Sequence, residues 1–198
     1  MLRKRFTQIS LLLAGILAMF AAWTAYHHQY YKHFAVHQPG MVYRSAWLET
    51  DALRNVIEEH RIRSVINLCK PGELGKQRRV EERQAVSNAG ARLIELPMPI
   101  SVDPSDPLIA RHLEVLLDPD NYPILVHCQH GVTRTAKHIA MYDIVFRGLT
   151  GKQSLNAQPL FGRDGHNDLV KTFVSNFEKE YKQLYPAVLA QKIGELSN

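Results

Sequence analysis

The chain has little cysteine, no compositional bias and, past its N-terminus, no excess charge of either sign. Two cysteines in 198 residues exclude a disulfide scaffold. Eleven glycines and ten prolines exclude a collagenous or disordered chain. The net charge of +5 suggests nucleic acid until it is located. Residues 1–32 hold Arg3, Lys4, Arg5 and Lys32 and no acid, which leaves twenty basic and nineteen acidic residues in 33–198. The globular part therefore lacks a bulk basic footprint, and no nucleic-acid partner is expected. There is no internal repeat. With 45% hydrophobic and 22% charged residues, the remainder has the make-up of one ordinary globular domain.

What is present begins with an uncharged apolar run from Ile9 to about Tyr26, behind Arg3–Arg5. At 1.5 Å per residue it spans roughly 27 Å, close to a bilayer's hydrocarbon thickness. Trp23, Tyr26, Tyr30 and Tyr31 follow where an interfacial belt belongs. A cleavable signal peptide is the alternative, but Phe20 or Trp23 would occupy the cleavage position that should be small. The favoured reading is a single-pass anchor over 1–32, N-terminus cytoplasmic, with the domain extracytoplasmic (periplasmic if bacterial). Residues 33–41 are then a juxtamembrane tether and 42–190 the functional domain. His27, His28, His33 and His37 lack acidic or thiol partners at ligand spacing, so they read as part of the tether.

Strand and helix patterns alternate along the domain. Val42–Arg44, Ser64–Leu68, Ala91–Leu96 and Ile124–His127 read as strands. Helices are expected from a Thr50 cap to His60, from about Arg79 to Ala89, over 107–117, from Thr135 to Gly148, and near 151–157 and 166–185. The alternation predicts an α/β fold, a central, mostly parallel sheet flanked by helices.

The chemistry concentrates in His127-Cys128-Gln129-His130-Gly131-Val132-Thr133-Arg134-Thr135, between a buried strand and a helix start. A loop entering a helix offers backbone N–H groups with no intrahelical partner, a nest for an anion backed by the helix dipole. Gly131 frees the backbone, and Arg134 supplies a planar fork for two phosphate oxygens. The same field favours a thiolate at Cys128. A zinc site of His127, Cys128 and His130 is excluded by crowding on one loop.

Cys128-x5-Arg134, with His127 before and Thr135 after, resembles the signature of the cysteine-dependent tyrosine and dual-specificity phosphatases. Val42-Tyr43-Arg44-Ser45, Val65-Ile66-Asn67-Leu68 and Leu117-Asp118-Pro119 ahead of Pro123–His127 resemble the compact atypical branch found in bacteria, plants and fungi. The resemblance covers roughly 40–185. It implies that Cys128 attacks phosphorus to form a phosphocysteine. Gln129, His130, Gly131, Val132, Thr133 and Arg134 would then hold phosphate, and Thr135 would help the thiolate leave. It implies no cofactor and no metal. Ala136 departs from the family, which usually has glycine there.

The family also uses an aspartate on a separate loop as proton donor. Asp106 precedes Pro107 and a helix, an N-cap arrangement, so Asp103 is preferred as the acid. Cys69 ends a strand at the same sheet edge as Cys128. It reads either as a small buried hydrophobe or as the partner of a reversible disulfide. The phosphate loop has no lysine, which favours a phosphotyrosine protein over inositol phosphates or phosphoinositides. Lys70, Lys76, Arg78 and Arg79, on the loop after Cys69, keep the polyanionic alternative open. Phe161–His166 is a candidate rim loop or a plain helix connection. A phosphate-binding module without turnover and a rhodanese-like sulfurtransferase are the competing readings. The spacing to Arg134 and the Thr135 hydroxyl fit phosphate better than the latter.

Overall fold

The structure, a computed structural model, describes residues 2–160, 162–188 and 190; within it the side chains of 2–11, 26–29 and 31 are not described. A long N-terminal helix, α1 (Leu2–Tyr31), precedes a five-stranded sheet in the order β1-β2-β5-β3-β4. The strands are β1 (Ala35–Gln38), β2 (Val42–Ala46), β3 (Ser64–Asn67), β4 (Arg92–Glu95) and β5 (Ile124–Cys128). Neighbours from β2 to β4 pair in parallel, and β1 joins β2 antiparallel. The expected mostly parallel α/β sheet is present.

Helices cover both faces, so the central strands are buried on both sides and read as unbroken apolar runs. On one face α2 (Thr50–His60) and α3 (Lys76–Asn88) pack Leu53, Val56, Ile57, Ala85 and Val86 against Val65 and Leu125. On the other, α4 (Pro107–Leu117), α5 (Thr133–Phe146), α6 (Gly151–Ala157) and α7 (Asp168–Leu184) close the larger core around Ile66, Val126, Ile139 and Phe177. Parallel pairing places Ala46 beside Cys128 and Asn67 beside His127. The C-terminal ends of β2, β3 and β5 thus reach one edge, where open α/β sheets bind ligands.

Three sequence expectations change. The single-pass membrane placement is withdrawn: among the described residues no helix is long and apolar enough to cross a membrane. Part of the expected span, at 9–11 and 26, lies outside the described side chains. Residues 33–41, read as a tether, contain β1, and the His37 side chain is buried with its Nε2 2.8 Å from Asp143 Oδ1. The strand is four residues long, with no alternation to mark it in the sequence. Finally, α5 starts at Thr133 rather than Thr135, α3 starts at Lys76 rather than Arg79, and α2 takes Glu49 as its N-cap in place of Thr50.

Candidate active site

Cys128 ends β5, is 2% exposed, and is followed by a loop that runs straight into α5. The carbonyls of Gln129, His130 and Gly131 in that loop are each taken by a donor from a distant part of the chain. Trp47 N–H donates to Gln129 O at 3.3 Å, His33 Nδ1 to His130 O at 2.9 Å, and Arg44 Nη2 to Gly131 O at 2.7 Å. In a trans peptide the N–H of the next residue points opposite to the carbonyl. The amides of His130, Gly131 and Val132 therefore turn away from those donors. Val132, the N-cap of α5, makes no side-chain cap, so the first amides of the helix also stay open. The result is a nest for an oxyanion at a helix N-terminus.

Gly131 is required there. Its φ is +63°, and a Cβ would lie 2.5 Å from the carbonyl carbon and oxygen of Ser45 in β2. Arg44 is fully buried beneath the loop. Burial lowers its guanidinium to about 10, still charged at neutral pH. It holds Gln158 Oε1 through Nη1, and Gly131 O and Gly162 O through Nη2. The sequence likeness at Val42–Ser45 marked this arginine without a role. Nothing local could supply one, because its partners lie 87 to 118 residues away.

Arg134 points back over the loop. Its Nη1 donates to Leu68 O at 3.2 Å and to Glu73 Oε2 at 2.7 Å, while Nη2 donates to Glu73 Oε1. Three of its five N–H groups are held in these bonds. The Nε–H and the second Nη2–H, a side-on pair, are left for two oxygens of one anion. Glu73, which sequence reasoning passed over, therefore orients the fork from its far side. The Arg134 hydrogen bond holds the Glu73 carboxyl below the usual carboxylate range. Lys70, Pro71, Glu73, Pro99, Ile100, Ser101 and Arg134 line a cavity of about 570 Å³ at this mouth.

Thr135 Oγ1 donates to Cys128 Sγ at 3.2 Å, a bond that favours the thiolate. Behind the loop His127 Nε2 lies 2.9 Å from Glu82 Oε1, off the hydrogen-bonding direction, with both side chains buried. Glu82 Oε2 accepts from Asn67 Nδ2, whose Oδ1 in turn accepts from Cys69 N–H. Cys69 and Cys128 are not bonded to each other, and burial pushes Cys69 up to about 12.

The two acids expected on the separate loop both have local partners. Asp106 caps α4, accepting from Leu108 N–H at 3.0 Å, the structural job its sequence foretold. Asp103 is exposed, and its Oδ1 accepts from Ser105 N–H and Ser105 Oγ–H. These bonds hold its carboxyl below its ordinary value. Among the described residues no group of three His, Cys, Asp or Glu is placed to hold a metal. The 161–166 segment joins α6 to α7, and its Asp164 Oδ2 accepts from Thr133 Oγ1 at 2.7 Å. Its first residue, Phe161, lies outside the described residues.

Residues 41–176 match the model of a family described as DSP-PTPase phosphatase fused to NAD+ kinase. No curated protein matches the chain. Among solved structures, P. aeruginosa TpbA in complex with phosphotyrosine is similar at a TM-score of 0.60 and 23% identity, covering 79% of this chain and 90% of that one. The core catalytic domain of the PP-IP phosphatase SIW14 from S. cerevisiae, in complex with citrate, gives 0.62 and 24%, over 78% and 91%. PTPMT1 gives 0.59 and 14%, over 78% and 99%. At these identities the likeness is one of fold.

Proposed function

We infer the function from one premise: the chain belongs to the family of DSP-PTPase phosphatases fused to NAD+ kinase, within the atypical dual-specificity phosphatases. It is a cysteine-based phosphoric monoester hydrolase. The finer reading proposed here is that it hydrolyses phosphomonoesters through a phosphocysteine intermediate, and that its domain occupies 42–190 with β1 added at the sheet edge. The observation that carries this is the loop in which the carbonyls of Gln129, His130 and Gly131 are bonded to distant donors, leaving the following amides for an oxyanion beside Cys128.

In this mechanism the Cys128 thiolate attacks phosphorus as the bond to the ester oxygen breaks. The amides of the Gln129–Thr133 loop and the side-on pair of Arg134 hold the equatorial oxygens where charge is spread. The leaving oxygen takes a proton from Asp103, which must first give up its bonds to Ser105. Water then attacks the phosphocysteine. Sulfur departs as thiolate, and the Thr135 hydroxyl stabilises it.

A phosphotyrosine protein is the favoured substrate, since the loop carries no lysine, and TpbA binds phosphotyrosine in the same fold. One observation favours a second, polyanionic substrate such as an inositol phosphate. Lys70 lines the mouth, and Lys32 and Arg78 lie over the ring of Trp47, 5.1 and 4.8 Å from its centroid, next to the loop.

Turnover of p-nitrophenyl phosphate by the reduced full chain tests the class. Cys128→Ser is expected to abolish it while retaining vanadate binding. Asp103→Asn is expected to slow substrates with poor leaving groups far more than p-nitrophenyl phosphate. A folded wild type that binds vanadate without turnover would make the chain a phosphate-binding module. Comparison of a phosphotyrosine peptide with an inositol polyphosphate decides the substrate.

A further inference from the structure

The segment between α6 and α7 meets the phosphate loop once directly and once through Arg44 of β2, and neither contact belongs to the chemistry above. Gly162 O accepts from the same Arg44 Nη2 that holds Gly131 O. A Cβ on Gly162 would lie 2.8 Å from that nitrogen, so a side chain there would push the guanidinium away. The second contact is Thr133 Oγ1 to Asp164 Oδ2 at 2.7 Å. Asp164 adopts φ +51°, a left-handed conformation that costs a residue other than glycine on the order of 1 kcal/mol and persists only where surroundings impose it. Its Oδ2 also accepts from Asn167 Nδ2 at 2.8 Å, and Asn167 Oδ1 caps α7 through Leu169 N–H. Asp164 is thus fixed to the start of a long packed helix.

The helix it reaches has an unusual need. An ordinary N-cap side chain at Val132 would bond the first amides of α5 and take them from an anion. Val132 makes no such cap. The start of α5 must be held by something that leaves those amides open. Thr133, its first residue, turns its hydroxyl away to Asp164 instead. The negative charge this brings near the nest is offset by Lys137 one turn on, which interacts electrostatically with Asp164.

We propose that Asp164 is a positioning residue for the phosphate loop: through Thr133 it replaces the missing helix cap and holds the Val132–Arg134 backbone in its anion-binding conformation. The proposal deepens the phosphatase reading and rests on it for its kinetic consequences. It is also read by anion binding, which needs no turnover.

The test measures vanadate affinity by calorimetry, and kcat and KM for p-nitrophenyl phosphate, on the full chain. Thr133→Val and Asp164→Ala are each expected to weaken vanadate binding about tenfold, the equivalent of one charge-assisted hydrogen bond, with a matching fall in kcat/KM. Asp164→Asn keeps an acceptor oxygen and tolerates the left-handed φ, so it is expected to stay within about threefold of wild type. Thr133→Ser is expected to do the same. The Thr133→Val/Asp164→Ala double variant is expected to be no worse than the poorer single one, because the Thr133–Asp164 bond is lost in all three. Wild-type vanadate affinity in both single variants, or losses that multiply in the double variant, would overturn the proposal. Should Asp164→Ala not fold, Thr133→Val and its rescue by serine decide alone. Vanadate binding without turnover in wild type would refute the phosphatase reading and leave this inference readable.

Discussion

Replacing Gly131 by alanine should damage both the fold and the site, and the size of the effect follows from two independent costs. The first is backbone: φ is +63°, and a left-handed alanine costs roughly 1–2 kcal/mol. The second is space. The new Cβ would stand 2.5 Å from Ser45 C and O, and ordinary contact begins near 3.4 Å, so something must yield by almost an ångström. Ser45 cannot retreat, because it lies in β2, paired along its length with β5. The loop is also pinned, by Trp47 N–H on Gln129 O and by Arg44 on Gly131 O. Overpacking a well-filled site costs about 1–3 kcal/mol. The sum is roughly 2–5 kcal/mol, or about 5–15 °C in Tm for a domain of this size. Urea unfolding and thermal melting, run beside vanadate titration, measure it. If the loop shifts to relieve the clash, the stability loss shrinks but its amides move and anion affinity collapses. A variant that keeps vanadate affinity and loses less than about 1 kcal/mol would refute the steric argument.

Three further outcomes concern pH. His112 and His138 meet in the core, Nδ1 to Nδ1 at 3.1 Å. Burial lowers His112 to about 4 and His138 well below its ordinary value. The unfolded chain binds their protons below about pH 6.5 and the folded one does not, so stability is full above 6.5 and falls with acid. His112 alone accounts for about 3 kcal/mol by pH 4. Urea midpoints at pH 7 and 5 should show the slope, and the His112→Leu/His138→Leu double variant should flatten it; an unchanged slope would sink the assignment. Lys137 donates to Ile100 O at 2.7 Å, and burial lowers it to about 8 from 10.5. Between those values only the unfolded chain carries the proton, so stability should rise from pH 8 to 10.5, and Lys137→Met should remove the rise. Ser105 depresses Asp103 through two hydrogen bonds. Ser105→Ala removes one and should move the alkaline limb of kcat, set by loss of the donor's proton, to higher pH. An unmoved limb in that variant would argue that Asp103 is not the donor.

Much of the site could be read from the linear chain because its chemistry is local. Cys128, Gly131, Arg134 and Thr135 lie within eight positions, and a strand entering a helix is a pattern of hydropathy alone. The Asp106 cap was legible for the same reason: its bond reaches two residues along the chain. The contacts that went unread act across the fold. Glu73 reaches Arg134 over 61 residues, Thr133 reaches Asp164 over 31, and His33 reaches His130 over 97. No periodicity or spacing encodes such pairs, since sheet order and helix packing bring them together. The same holds for β1, four residues whose only cue is a partner strand.

The sequence by itself determined that a nucleophile, a fork and a hinge glycine stand at the end of a buried strand, because short-range geometry and helix electrostatics need nothing from the remainder of the chain. Only the tertiary structure decided that the carbonyls of Gln129, His130 and Gly131 face distant donors and that the following amides turn away from them. Each peptide there has two faces, and the donors that choose between them, on Trp47, His33 and Arg44, arrive from strands and turns some ninety residues upstream.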